Sequence, residues 1–429
     1  MADDGQLIGS KLTCEEVQSR ARTNGSLETA LRTFLGWAPD IPLRFDELPD
    51  ASAVLPGVAI FKSYTPAVTK RLVREGYIHQ HRFAILPSRK KARWLLPLTN
   101  KALALDGFEL YKPFSTGARM MKTLVLLVRA TGWSGWVQDE VLIASRSLLP
   151  IERLLSDVTG ENQFIFTLSL GTPGAFQKLT VQVMRPDGVI LGYLKMPLTD
   201  AAGQRLSNEA EFLRKLATFP EMRSHVPRLL FGGLWNGLNI LFESPLEGTV
   251  GPTRLTSLHK EFLDRLRDCR PVVLPGQIVA HQTAQRWERV ARRMGMKWEE
   301  LGREALRIAG KELHGFPVPC GFHHGDFAPW NLRQHRGGLL AYDWESATCE
   351  EPNLWDKFHF LVQTESLLKV TPEMRDDVTI RTQNRSLFLL YLLNSTALLI
   401  EENAEQLAID YREAQMLRYI SGVSGAVTN

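Results

Sequence analysis

The spacing of hydrophobic and polar positions changes along the chain and divides it into three zones. In the first 150 residues, positions 13–35 are partly helical by pattern. Apolar runs at 82–86 and 93–98 flank Pro87-Ser88-Arg89-Lys90-Lys91, which predicts a hairpin with a basic tip. Ser115 stands where it would cap a helix with Met120, Leu124, Leu127 and Val128 on its apolar face, ending at Gly132.

The second zone, 151–248, is strand-like. Residues 165–170 form one strand candidate, and Gly171-Thr172-Pro173-Gly174 follows as a loop. Residues 178–184 alternate, with Leu179, Val181 and Val183 on one face. Arg185-Pro186-Asp187-Gly188 is a turn signal, and 189–195 is the third strand. Leu206, Ala210, Leu213, Leu216 and Ala217 then recur at helical spacing, and 238–243 is a further strand. The third zone, 249–429, is expected to be mostly helical, with amphipathic stretches at 254–267, 284–294 and 298–313 and helical patterns again from Leu354. Its most apolar stretch, 387–400, is broken by Asn394, Ser395 and Thr396. It is shorter than the roughly 20 residues of a membrane span and reads as a buried helix.

Length agrees with this division. The chain has 429 residues, and a single core stops growing at about 250–300. Apolar residues make up 44% and charged residues 23%, ordinary usage for a folded globular chain. Cys14, Cys269, Cys320 and Cys349 are far apart and show no C-x-x-C spacing, so neither a zinc site nor a disulfide framework is expected. The acidic start, Met1-Ala2-Asp3-Asp4, does not resemble a secretory signal, and a cytoplasmic location is expected.

Charge adds one feature. Residues 51–150 carry 15 Lys and Arg against 5 Asp and Glu, a net of +10, while residues 1–50 carry 5 against 9. A basic block of this kind is either a solvated face or an attractor for phosphate, glycan, nucleic acid or a membrane surface. Trp133 and Trp136 lie within it and are either core residues or a stacking platform. No nucleic-acid partner is expected.

The candidate chemistry lies in the third zone. His324-Gly325-Asp326-Phe327-Ala328-Pro329-Trp330-Asn331 is followed by Asp343-Trp344-Glu345. In kinase chemistry an Asp accepts the hydroxyl proton, an Asn five residues later holds Mg2+, and a second Asp downstream holds the metal that bridges the phosphates. Asp326 and Asn331 have that spacing, and a short strand over 339–342 would deliver Asp343. Isolated surface carboxylates are the plain alternative; the joint pattern is far more specific than His-Gly-Asp alone.

On these residues the chain resembles the aminoglycoside phosphotransferase and choline kinase family over roughly 155–420, with the first 150 residues outside the resemblance. The resemblance implies an α+β, two-lobed protein-kinase-like fold: a small antiparallel-sheet lobe and a mostly helical large lobe, here preceded by an extra N-terminal α/β region. It implies domains at 151–248 (nucleotide-binding) and 249–429 (catalytic loop and acceptor site), ATP and Mg2+ as cofactors, Asp326 as base, and Asn331 and Asp343 as metal ligands. Asp356, in Pro352-Asn353-Leu354-Trp355-Asp356, resembles the family's structural Asp.

The second zone supports this by its own order. Lys195 ends the third strand and is expected to contact phosphates and pair with a helix Glu, Glu209 or, two positions on, Glu211. Gly171 and Gly174 either cradle phosphate or make a plain hairpin turn, and Pro173 removes one donor. Glu243 and Ser244 fall where the family has its adenine-facing hinge. Between Asp343 and Pro352 there is no room for a protein-kinase activation segment, which favours a small-molecule or glycan acceptor. The competing expectation is a nucleotide-binding regulator or scaffold whose basic N-terminal region binds an anionic partner.

Overall fold

The computed structural model describes residues 26–38, 43–47, 57–98, 139–368, 382–401 and 406–421. The helix expected near 120–132, together with Trp133, Trp136 and Cys14, lies outside them.

Nine strands form one sheet: β1 (Val58–Phe61), β2 (His79–Leu86), β3 (Trp94–Pro97), β4 (Glu140–Ser145), β5 (Ile165–Ser169), β6 (Lys178–Met184), β7 (Ile190–Pro197), β8 (Leu229–Trp235) and β9 (Leu238–Glu243). Their order is β1-β4-β2-β3-β5-β6-β7-β9-β8, and every pairing is antiparallel. The expected basic hairpin is β2–β3, in register Phe83 to Pro97, with a 3-10 turn at Arg89–Lys91. The sheet runs across residue 150. Trp94 pairs with Ser169 and Leu95 with Leu168, so the N-terminal strands extend the edge of the second-zone strands.

Four helices accompany this sheet: α1 (Leu27–Leu35), α2 (Pro66–Arg74), α3 (Pro150–Thr159) and α4 (Asp200–Leu216). Alternation along β9 decides which side they take. Ile240 and Phe242 point into a core with Leu31 and Phe34 of α1, Leu155 of α3, and Phe83 and Phe166 of the strands. Phe34 meets Phe166 edge-on at 5.2 Å. Leu241, between them, points the other way, into a core with Leu206, Ala210 and Leu213 of α4. That core also holds Phe322, Phe327 and Trp344, so α4 is the joint between the sheet and the chemistry-bearing segments.

The large lobe contains α5 (Ser257–Cys269), α6 (Gly276–Met294), α7 (Met296–Glu312), α8 (Leu354–Leu368), α9 (Thr382–Glu401) and α10 (Gln406–Ile420). Trp287, Trp298, Phe358 and Phe388 fill its core. The apolar stretch 387–400 lies within α9 and is buried apart from Leu398 and Leu399, and no helix among the described residues is long and apolar enough to cross a membrane. Two small sheets interrupt the helices: β10 (Thr249–Val250), β13 (Leu332–His335) and β14 (Gly338–Ala341); and β11 (Val272–Pro275), β12 (Pro317–His323) and β15 (Thr348–Pro352). Apart from the strand that delivers Asp343, these were not expected. Strands this short carry too few alternating positions to register as a period. The result is an α+β, two-lobed fold, a nine-stranded antiparallel sheet and a mostly helical lobe, with the N-terminal strands extending the edge of the sheet.

Candidate active site

The site starts from α4. Thr199 caps the helix, its hydroxyl accepting from Ala202 N at 3.1 Å. The helix buries Leu206, Ala210 and Leu213, and Glu209 shares that face with no exposed surface. Lys195 comes from inside β7, two residues before the strand ends. Its Nζ lies 2.6 Å from Glu209 Oε1, 3.0 Å from Glu243 Oε1 and 3.3 Å from Asp343 Oδ1. The open choice between the two helix acids is thereby resolved: Glu211 is exposed and pairs with Lys215 at 2.7 Å instead. Burial opposes the Lys195 charge, but the surrounding carboxylates outweigh it and hold its pKa well above the ordinary value.

Glu209 makes a second connection. Its Oε1 also accepts from Trp344 N at 3.0 Å, which ties α4 to the Asp343-Trp344-Glu345 segment. β14 delivers that segment, and Asp343 turns into it at φ 67°. This left-handed conformation costs a non-glycine residue about 1 kcal/mol or more and must be held by its surroundings. Trp344 is fully buried, and its indole donates to Ala341 O at 3.0 Å.

The segment 324–331 is held equally firmly. Asp356, at the start of α8, is 2% exposed. Its two oxygens accept separately from His324 N at 2.8 Å and Gly325 N at 3.1 Å. His324 is buried, and burial lowers its pKa, so the imidazole is neutral. Nε2 donates to Tyr342 O at 3.1 Å and Nδ1 accepts from Asp326 N at 3.3 Å, which fixes the tautomer by its partners. The aromatic filler between Asp326 and Asn331 is core: Phe327 is fully buried and stacks on Phe262 at 5.5 Å.

Asp326 itself remains about a third exposed. Its Oδ2 accepts from Asn331 Nδ2 at 2.8 Å, and its Oδ1 faces His359 Nε2 at 2.9 Å. With the Asn331 amide nitrogen engaged, its oxygen is the atom left for a cation. Tyr342 N donates to Asn331 O at 3.1 Å, linking the loop to the strand that carries Asp343.

Two cavities flank the Asp343-Trp344-Glu345 segment, Asp343 lining one and Glu345 the other. One, of about 210 Å3, is lined by Lys178, Lys195, Glu243, Ser244 and Asp343. The other, of about 700 Å3, is lined by Asp326, Glu345 and residues of α8, α9 and α10. Neither Gly171 nor Gly174 is among the residues lining the first. Gly171 sits at the β5–β6 turn with φ +62°, where an added Cβ would lie 2.8 Å from Lys178 O, and its own oxygen accepts from Arg93 at 2.7 Å. Ser244 uses both its amide and its hydroxyl on the backbone of Arg228. Glu243 turns its carboxylate to Lys195. Burial pushes its pKa up to about 7, with Lys195 acting against this.

Two site residues were not anticipated. Lys178 reaches across from β6 to Asp343 Oδ1 at 2.7 Å and Glu345 Oε2 at 2.5 Å. His359 contacts Asp326. Asp356, His359 and Gln363 recur at i, i+3 and i+7 on α8, a signal the sequence did contain. The carboxylates of Glu209, Asp343 and Glu345 present ligand atoms within 4.8 Å of one another. Such a set of hard oxygens fits a divalent cation such as Mg2+. Burial raises the pKa of both: at Asp343 the Lys178 and Lys195 charges outweigh it and hold the carboxyl well below the usual carboxylate range, while at Glu345 burial and the Asp343 charge push it up to about 7.

No protein-family model matches the chain, and no curated protein matches it. Solved structures do. A thermostable mutant of the aminoglycoside phosphotransferase APH(4)-Ia, in ternary complex with ADP and hygromycin B, superposes with a TM-score of 0.43 at 12% identity, covering 64% of this chain and 99% of its own. The GDP complex of wild-type aminoglycoside 2'-phosphotransferase-IIIa gives 0.42 at 12%, covering 63% and 98%. Choline kinase LicA from Streptococcus pneumoniae gives 0.42 at 11%, covering 64% and 99%. The chain is similar in structure to these proteins over about 64% of its length, and its N-terminal region is unmatched.

Proposed function

We propose that this protein transfers the γ-phosphoryl group of ATP to a hydroxyl of a small molecule or glycan. The observation that carries the reading is that Lys195 and Asp343 line one cavity and Asp326 a second, on either side of the Asp343-Trp344-Glu345 segment. The nucleotide takes the smaller cavity and the acceptor the larger.

Asp326 accepts the proton of the acceptor hydroxyl. Its hydrogen bonds to Asn331 and His359 hold the carboxylate in one orientation while leaving part of it exposed to the cavity. The freed oxygen forms a bond to the γ-phosphorus as the bond to the β–γ bridging oxygen breaks, and ADP leaves. Lys195 and Lys178 sit on the nucleotide side, where their ammonium groups meet the phosphate charge. Asn331 and Asp343, with Glu345 beside them, would hold Mg2+, which supplies charge neutralisation at the transferring phosphoryl group. The acceptor class follows from chain length: β15 begins five residues after Asp343, leaving no activation segment to dock a polypeptide.

The test is transfer of label from γ-labelled ATP to a panel of hydroxylated small molecules, with and without Mg2+. The expected result is Mg2+-dependent label in at least one acceptor. Nucleotide binding with no transfer across the panel, together with capture of an anionic partner by the N-terminal region, favours the regulator reading instead.

A further inference from the structure

The larger cavity has an unusual charge distribution. Its carboxylates are answered: Glu345 by Lys178 and Arg205, Glu351 by Arg286 at 2.6 Å, and Asp326 by His359 and Asn331. One of its cations is not. Arg412, on α10, is 1% exposed and lines the cavity. Its guanidinium donates to Ser395 Oγ at 3.0 Å and to Ala408 O at 3.0 Å, and the Tyr391 hydroxyl lies close enough to feel its charge. All of these are neutral. Among the described residues no carboxylate lies within ion-pair distance of it. Buried charges are ordinarily paired, because desolvation without a counter-charge is expensive. A guanidinium held this way has donors arranged for a planar or tetrahedral anion.

Arg412 is also connected to the reacting end. Asp326 Oδ1 faces His359 Nε2 at 2.9 Å and His359 Nδ1 faces the Tyr391 hydroxyl at 3.3 Å, and Tyr391 and Arg412 line the same cavity. The base and a cation with no carboxylate partner among the described residues therefore line one cavity, with an imidazole and a phenol beside them.

Resting on the phosphotransferase reading above, we propose that the acceptor carries an anionic group, a carboxylate, phosphate or sulfate, bound by Arg412 while its hydroxyl lies at Asp326. The cavity thus selects a hydroxylated anion over a polycationic amine.

The experiment uses the full chain and two readouts. Thermal unfolding is measured at constant ionic strength in chloride and then with glucuronate, gluconate, glucose 6-phosphate and sulfate, with glucose and glucosamine as neutral and cationic controls. At least one anion is expected to raise the midpoint above the chloride and sugar controls. Arg412→Gln is expected to weaken that anion's binding about 10- to 100-fold, as for loss of a charge-assisted hydrogen-bonding partner, while Arg412→Lys retains part of it. Arg412→Gln is also expected to unfold cooperatively near the wild-type midpoint in chloride. Overturning results are no anion exceeding chloride, equal protection by glucosamine, or anion protection unchanged in Arg412→Gln. ADP release with the same compounds separates the two readings. Anion binding lost in Arg412→Gln without acceptor-dependent ADP release keeps the anion site and refutes the kinase assignment. Phosphorylation of amines alone does the reverse.

Discussion

Asp356 gives the sharpest energetic prediction, because each of its oxygens has a separate task. One accepts from His324 N at 2.8 Å and the other from Gly325 N at 3.1 Å, and the carboxylate is 2% exposed. Removing it in Asp356→Ala leaves two buried N–H groups without an acceptor. At about 1.5–3 kcal/mol for each hydrogen bond to a charged group, the loss is ~3–6 kcal/mol. That is a large part of the 5–15 kcal/mol typical of a folded domain, yet it leaves room for a folded variant. Asp356→Asn is the informative control. An amide offers one acceptor and one donor, so whichever way it lies it satisfies one N–H and opposes the other. It should therefore lose at least half as much as Asp356→Ala. Because Gly325 precedes Asp326, turnover should fall by about 100-fold or more through misplacement of the base. Urea denaturation gives the stability term and acceptor-dependent ADP release gives the rate. Asp356→Asn with wild-type midpoint and wild-type turnover would show that this carboxylate does not anchor the loop.

Three further perturbations probe the cluster around Lys195. Glu243 has its pKa raised from 4.5 to about 7 by burial. Its stabilising contribution is therefore complete below about pH 4.5 and lost as pH rises through about 7, a change of ~3 kcal/mol at 1.4 kcal/mol per pH unit. Glu243→Gln does not titrate, so its stability relative to wild type should climb between pH 5 and 8, as read from denaturation midpoints; a constant difference across that range refutes the assignment. Lys178→Met removes the ammonium that bridges Asp343 and Glu345. The variant should melt below wild type in EDTA and recover more than wild type on adding Mg2+, and equal recovery would argue against a cation at these carboxylates. Phe327→Ala deletes a fully buried ring beside Phe262 and should cost ~3–5 kcal/mol by cavity formation, measured by chemical denaturation.

Much of the site was legible because its chemistry demands fixed residue types at fixed intervals. Asp326 and Asn331 lie in one turn of loop, and Asp343 follows a strand too short to vary in length. Lys195 and Glu209 were legible from order alone, strand before helix, and burial distinguished Glu209 from Glu211. Lys178 was not, since a lysine at the head of an alternating strand looks like any solvated end, and only the fold brings it to Asp343. Arg412 left a fainter trace. It falls on the stripe Ile409, Arg412, Met416 and Tyr419, a charge on an otherwise apolar helical face, and such a residue is either paired in the core or bound to a ligand. The glycines read differently in three dimensions. Gly171 serves a tight turn against Lys178 O, and is not itself among the residues lining the smaller cavity. The N-terminal strands were legible as a hairpin, but their pairing with β5 was not, because strand partners distant in sequence leave no local period.

The central claim is that Asp326 is the base of a phosphoryl transfer. It is tested most directly by comparing wild type and Asp326→Ala in two measurements on the same preparation: equilibrium binding of Mg2+–ATP and acceptor-dependent release of ADP. The account predicts nucleotide affinity within a few-fold of wild type and ADP release reduced by at least about 100-fold, the scale of a lost general base. Undiminished acceptor-dependent turnover in Asp326→Ala would contradict it.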